Sequence, residues 1–195
     1  MSAAHCADGA GPDPLDDVLL EPAEVAEKAG PGVAAAVLLA LYGWPAEPGL
    51  IFTERRADLR RHAGEISFPG GRRDPEDADL AATALREAHE EIALDPAAVE
   101  LRGALPAVST FVTNYRVHPF VGLVPDPLEL RLEPNPTEVE TVLTVSLERL
   151  REGYEMRRLV RRGVPIRTPT YELDGGHLVW GATARIVGEF LARLG

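Results

Sequence analysis

One cysteine, Cys6, stands alone in 195 residues, so an intrachain disulfide is excluded and a reducing compartment fits. No apolar run approaches the ~20 residues a membrane helix needs. The longest, Val33–Tyr42, is too short and is flanked by turn residues. No basic segment followed by an apolar stretch opens the chain, so no signal peptide is expected and the cytoplasm is the default location. Positive charge is the minority: 20 Lys and Arg against 31 Asp and Glu give a net charge of −11 and a pI near 4.9. That balance disfavours nucleic acid or an anionic membrane as main partner. It leaves room for a small anion, because a local metal or arginine pocket outweighs distant charge. No internal repeat is present, and 45% hydrophobic residues suit one ordinary globular core.

Residues 1–20, rich in Ala, Gly, Asp and Pro, read as a flexible tail, followed by a single domain over 21–195 with a short helix at 22–28. GVAAAVLLAL (32–41) reads as a buried strand, although its alanines also permit a helix. Leu50–Arg55 is its hairpin partner, and Ile66–Phe68 is a short strand that Pro69-Gly70-Gly71 ends. Leu80–Ile92 carries the strongest helical period, with Leu80, Ala84, Ala88 and Ile92 four apart. Strands are expected over 99–106, 116–123 and 138–145, then a short helix at Leu147–Glu152. A hairpin follows around Asp174-Gly175-Gly176, and a closing helix over 182–194. A mixed sheet with helices on its faces results, an α/β architecture.

Within ALREAHEEIAL (84–94), Glu87, Glu90 and Glu91 share one helical face. Such a cluster costs a few tenths of a kcal/mol per like-charged pair. Taken alone it is a solvated face. Three carboxylates beside a glycine-flanked bend also suit a hard divalent cation, Mg²⁺ or Mn²⁺, rather than zinc. Arg86, four residues before Glu90, can steady the cluster. His62, His89, His118 and His177 show no metal or triad spacing, and Ser109 lacks a nucleophile elbow. The run RRLVRR (157–162) reads as a solvated face, with a phosphate patch as the minor alternative. Trp44 and Trp180 read as packing residues.

The stretch SFPGGRRDPEDADLAATALREAHEEIAL (67–94) resembles the box of the Nudix hydrolases, G-x5-E-x7-R-E-U-x-E-E-x-G-U with U apolar. Gly71, Arg86-Glu87, Ala88, Glu90-Glu91 and Leu94 match. Asp77 replaces the first Glu, eight residues rather than seven separate it from Arg86, and Ala93 stands where glycine is usual. The role of Asp77 is open, since Asp79 could share it. Just upstream, IFTERRADLRRHAGEISFPGG (51–71) is similar to the signature of the family's coenzyme A pyrophosphatase branch, with Thr53, Arg55, Arg60, Gly64, Phe68, Pro69, Gly70 and Gly71 in register. NPTEVETV (135–142) and HLVWGATARIVGEFL (177–191) look like the same branch.

The resemblance implies an α/β/α sandwich with a mixed sheet. It also implies metal-dependent cleavage of the pyrophosphate of coenzyme A or a derivative into 3′,5′-ADP and phosphopantetheine. Glu87, Glu90 and Glu91 would hold Mg²⁺ or Mn²⁺ with the Gly71 backbone; Arg86 and Glu138 join the catalytic set. Arg55, Arg60, Gly70 and Gly71 would meet substrate. The identity of the general base stays open, and a homodimer is compatible with the family. Rival readings are a Nudix enzyme for ADP-ribose, NADH or an oxidised nucleotide, or a nucleotide sensor with a decayed site.

Overall fold

Strand β1 (Val33–Tyr42) is apolar along its whole length, and the computed structural model shows why. The structure describes residues 13–22, 32–58, 64–110, 114–161 and 163–195. Period-two alternation sends Ala36, Leu38 and Ala40 into one buried cluster, and Leu39 and Leu41 into another on the opposite face. A strand covered on both faces loses the polar half of its pattern. The helical alternative for this segment is thereby ruled out.

Around β1 lie β2 (Gly49–Arg55), β3 (Ile66–Ser67), β4 (Gly70–Arg72), β5 (Glu100–Ala104), β6 (Val108–Ser109), β7 (Tyr115–Leu123) and β8 (Val139–Ser146). They form one mixed sheet. β1 and β7 run parallel from Val33↔Tyr115 to Leu41↔Leu123, and every other pairing is antiparallel. One edge of β1 is served by two strands: β4 pairs with Ala35–Val37 and β2 with Leu41–Tyr42. A second sheet contains β9 (Tyr154–Arg161), β10 (Val164–Glu172) and β11 (Leu178–Trp180).

Four α-helices are described: α1 (Pro14–Val18), α2 (Leu80–Ile92), α3 (Leu147–Glu152) and α4 (Gly181–Leu194). Helix α2 packs Leu80, Ala84, Ala88 and Ile92 onto the Ala36–Leu38–Ala40 face. Alanine on both sides lets helix and strand approach closely, which brings the helix carboxylates to the sheet. Helix α4 buries Ala184, Ile186, Val187 and Phe190 against the other face, where Phe52 and Phe68 stack with ring centroids 4.7 Å apart. Each fully buried side chain of this size contributes about 1.5–3 kcal/mol. The α/β/α layering is therefore as expected. Among the described residues no helix is long and apolar enough to cross a membrane.

Two expectations need correction. Residues 13–20 are not tail: Leu15 is fully buried, and Leu20 exchanges backbone hydrogen bonds with Ala104. Asp13 receives the Trp44 indole N–H at 3.1 Å and pairs with Arg102 at 2.9 Å, a tertiary network that composition cannot reveal. The Gly70-Gly71 pair does not simply end a strand but forms β4. The basic run, expected as a solvated face, begins in β9, where Arg158 and Val160 are exposed. The helix expected at 22–28 falls almost wholly outside the described residues, as do Cys6 and His62.

Candidate active site

The site starts at β4. A Cβ on Gly70 would lie 2.3 Å from the Ala36 carbonyl oxygen and 2.6 Å from Val37 Cα, so only glycine fits there. A Cβ on Gly71 would meet the Glu87 carboxylate, 2.3 Å from Oε1. The bare Gly71 backbone is thus the floor on which Glu87 rests. One turn further along α2, Glu91 Oε2 accepts the Gly70 N–H at 3.2 Å. Two of the three helix carboxylates therefore sit at the diglycine bend.

Their environment is unfavourable for negative charge. Glu91 is 7% exposed, and burial pushes its carboxyl up to about 7. The Gly70 hydrogen bond opposes this shift, while the charges of Glu87 and Glu138 add to it. Burial likewise raises Glu87, against the pull of Arg86. Glu90 differs: it is half exposed and turned to Arg86 Nη1 at 3.0 Å. Among the described residues, no three His, Cys, Asp or Glu side chains already form a metal-binding group. The donors at the bend are nonetheless all oxygen, and two of them are carboxylates whose charge burial disfavours. This chemistry fits a hard divalent cation.

Arg86 is the hub that orders the helix. Its Nε donates to Asp77 Oδ1 at 2.9 Å, and its Nη2 to Asp77 Oδ2 and the Arg72 carbonyl, both at 3.1 Å. Nη2 also lies 3.1 Å from Glu87 Oε1. Asp77 is buried and accepts further bonds from Thr83 Oγ1 at 2.8 Å and the Asp74 N–H at 2.9 Å. The Arg86 guanidinium holds its carboxyl well below the usual range. The open question about Asp77 and Asp79 is thus answered. Asp77 anchors Arg86, whereas Asp79 caps α2 by accepting the Ala82 N–H at 2.8 Å.

The helix ends at Ala93, whose φ of 55° and ψ of 25° are left-handed. This is the residue standing in place of the usual glycine. The orphan carbonyls of the last turn are met by a distant loop. The Glu133 N–H donates to Ile92 at 3.0 Å, the Asn135 N–H to Glu91 at 2.8 Å, and Asn135 Nδ2 to Glu90 at 3.3 Å. The same loop carries Glu138, which is exposed and lies 3.5 Å from Arg55 Nη1 at the end of β2. Arg60 lies outside the described residues.

The structure therefore brings together Gly70, Gly71, Arg86, Glu87 and Glu91, with Glu90 on the outer side of Arg86 and the Arg55–Glu138 pair adjoining. Elsewhere, Arg157 of the basic run is tied to Glu155 and Glu172 within its own sheet. His118 is buried and Ser109 is exposed on β6, and among the described residues neither has a nucleophile arrangement around it. Sequence reasoning missed Asn135; the signal available was Asn-Pro, a turn former.

The NUDIX domain model matches residues 32–163. A curated relative, the uncharacterized Nudix hydrolase NudL of Escherichia coli O1:K1, is 42% identical over 165 residues, covering 83% of this chain and 82% of its own. Among solved structures, the NUDIX domain of Shewanella oneidensis NrtR complexed with ADP ribose has a TM-score of 0.56 at 13% identity, over 90% of this chain and 100% of that one. The MutT/nudix family protein of Enterococcus faecalis also scores 0.56 at 13% identity, covering 86% and 63%. These two likenesses speak to the fold, while the domain match and the curated relative speak to descent. The chain belongs to the Nudix family and is a Nudix pyrophosphohydrolase.

Proposed function

We propose that this enzyme hydrolyses the pyrophosphate of coenzyme A or a derivative, releasing 3′,5′-ADP and (acyl-)phosphopantetheine. The observation that carries the reading is the Glu87–Glu91 pair set against the Gly70–Gly71 backbone, with a free-standing arginine–carboxylate pair, Arg55 and Glu138, beside it. The substrate assignment rests on the 51–71 signature, of which Arg55 is part.

Glu87 and Glu91, with Glu90 and the Gly71 carbonyl, would hold Mg²⁺ or Mn²⁺; such an ion neutralises phosphate charge and acidifies water. Arg86 fixes the helix face so that Glu87 points to the bend. Arg55 has a planar fork suited to a phosphate and is one-third exposed. It can bind either Glu138 or a substrate phosphate. Exchange of the first for the second frees the Glu138 carboxylate to take the proton of the attacking water, or to add an oxygen ligand.

The test is a panel of coenzyme A, its 3′-dephospho form, ADP-ribose and NADH, incubated with Mg²⁺ or Mn²⁺ and read by mass spectrometry. Coenzyme A should be cleaved fastest, with 3′,5′-ADP as product. The ADP-ribose bound by the Shewanella domain makes that compound the main competitor. Faster cleavage of ADP-ribose than of coenzyme A refutes the substrate assignment.

A further inference from the structure

Asn135 sits at the junction between the carboxylate helix and the turn that ends at Glu138. Its backbone N–H donates to the Glu91 carbonyl at 2.8 Å, and its side-chain Nδ2 to the Glu90 carbonyl at 3.3 Å. Its side-chain Oδ1 accepts the Thr137 N–H at 3.0 Å and the Thr137 hydroxyl at 2.8 Å. Its carbonyl accepts from the N–H groups of Glu138 at 3.1 Å and Val139 at 2.9 Å. One residue thus faces two ways: its donors grip the last turn of the carboxylate helix, and its acceptors fold the turn that ends at Glu138.

The two halves of the site come from segments more than 40 positions apart, as Asn135 and Glu90 are. The helix presents Glu87 and Glu91, and the turn presents Glu138. A second clamp fixes the turn from the other side, since the Arg56 N–H donates to the Glu138 carbonyl at 3.0 Å and Arg56 Nη1 to the Pro136 carbonyl at 2.9 Å. Glu138 itself is exposed, and among the described residues its carboxylate is met by Arg55 in a 3.5 Å ion pair. Its location is therefore set by backbone: Arg56 and the pairing of Val139 with Arg55 tie the turn to β2, and Asn135 ties it to the carboxylate helix.

We infer that Asn135 is a positioning residue: it sets the separation between Glu138 and the Glu87–Glu91 pair by docking the 135–138 turn onto the carbonyls of Glu90 and Glu91. The inference rests on the proposed role of Glu138 at the reacting phosphate. Misplacement of a reacting group by about 1 Å costs on the order of 100-fold in rate. Arg55, the proposed phosphate contact, is held on β2, so the loss is expected in kcat rather than in KM.

The experiment measures kcat and KM on whichever of coenzyme A and ADP-ribose turns over faster, with Mn²⁺, for Asn135→Ala, Asn135→Asp, Thr137→Val, Glu138→Gln and the Asn135→Ala/Glu138→Gln pair. Asn135→Ala should lower kcat roughly 10- to 100-fold, with KM within about twofold. Asn135→Asp keeps the acceptor for Thr137 and loses the donor to Glu90, so it should fail to rescue. Thr137→Val removes one exposed hydrogen bond and should lower kcat only a few-fold, in a protein whose melting is unchanged. The double variant should be no slower than Glu138→Gln alone, because both changes act through one carboxylate. If the two losses multiply, or if Asn135→Asp restores kcat, the positioning role is overturned while the Glu138 reading stands. If Glu138→Gln runs at the original rate, the Glu138 reading falls and takes the inference with it.

Discussion

Replacing Glu91 by glutamine should make the metal-free protein more stable and the enzyme inactive. Glu91 is nearly sealed from water, and its carboxyl is raised from 4.5 to about 7. At about 1.4 kcal/mol per pH unit, that shift corresponds to a cost of about 3 kcal/mol when the group is ionised in the fold. The sign follows from the direction. A carboxyl with a raised folded pKa is harmless below 4.5, and stability is lost as pH climbs from there through 7. Glutamine keeps an oxygen to accept the Gly70 N–H and carries no charge. Burying its amide has its own cost, but that cost does not vary with pH. The gap between the variant and the original protein should therefore widen by about 2 kcal/mol between pH 5 and pH 8. Urea unfolding in EDTA at the two pH values measures it. The same comparison with Mg²⁺ added should stabilise the original protein at pH 8 and leave the variant nearly unchanged. Turnover should fall by orders of magnitude. A gap that stays constant with pH would refute the claim that Glu91 is held ionised at a cost; a variant that retains turnover would refute its place in the metal site.

Three more outcomes follow from the same geometry. Ala93→Gly relieves a left-handed residue at the end of α2 and should add about 1 kcal/mol, visible as a higher melting temperature with kcat unchanged. Asp77→Asn breaks the paired fork to Arg86 and should cost about 3 kcal/mol near neutral pH. Because the Asp77 carboxyl is depressed in the fold, its contribution is present above 3.8 and fades below that value, so acid unfolding curves of the two proteins should converge as pH falls. Gly70→Ala and Gly71→Ala should separate folding from chemistry: the first collides with the Ala36 backbone and should give little soluble protein, while the second meets the tip of Glu87 and should give a folded protein of low activity. Circular dichroism with a turnover assay distinguishes the pair, and equal soluble yields would contradict the assigned contacts.

What the chain disclosed before its fold was known depended on periodicity and on local motif. Leu80–Ile92 was readable to the residue because its buried positions recur four apart, and Leu147–Glu152 was placed with the same bounds. β1 was readable as apolar but ambiguous in type, since burial on both faces erases alternation. β4 was illegible because its three residues, Gly-Gly-Arg, carry no strand propensity and owe their conformation to pairing with Ala35–Val37. β9 hid behind its arginines. The site was legible where the motif is contiguous, at Gly70, Gly71 and Arg86 to Glu91. Neither the Arg86–Asp77 pairing nor the docking of Asn135 on the helix was, because each acts through tertiary hydrogen bonds that leave no local pattern.

At the end of α2 the carbonyls of Glu90, Glu91 and Ile92 take their partners from the 133–135 stretch, and only that of His89 from adjoining Ala93 among the described residues. Helix and stretch consequently form one heritable unit. A chimera that transplants the acidic helix into another member of the family without 133–138 would deliver bare peptide oxygens to its new host. One that moves both together would carry its own plug.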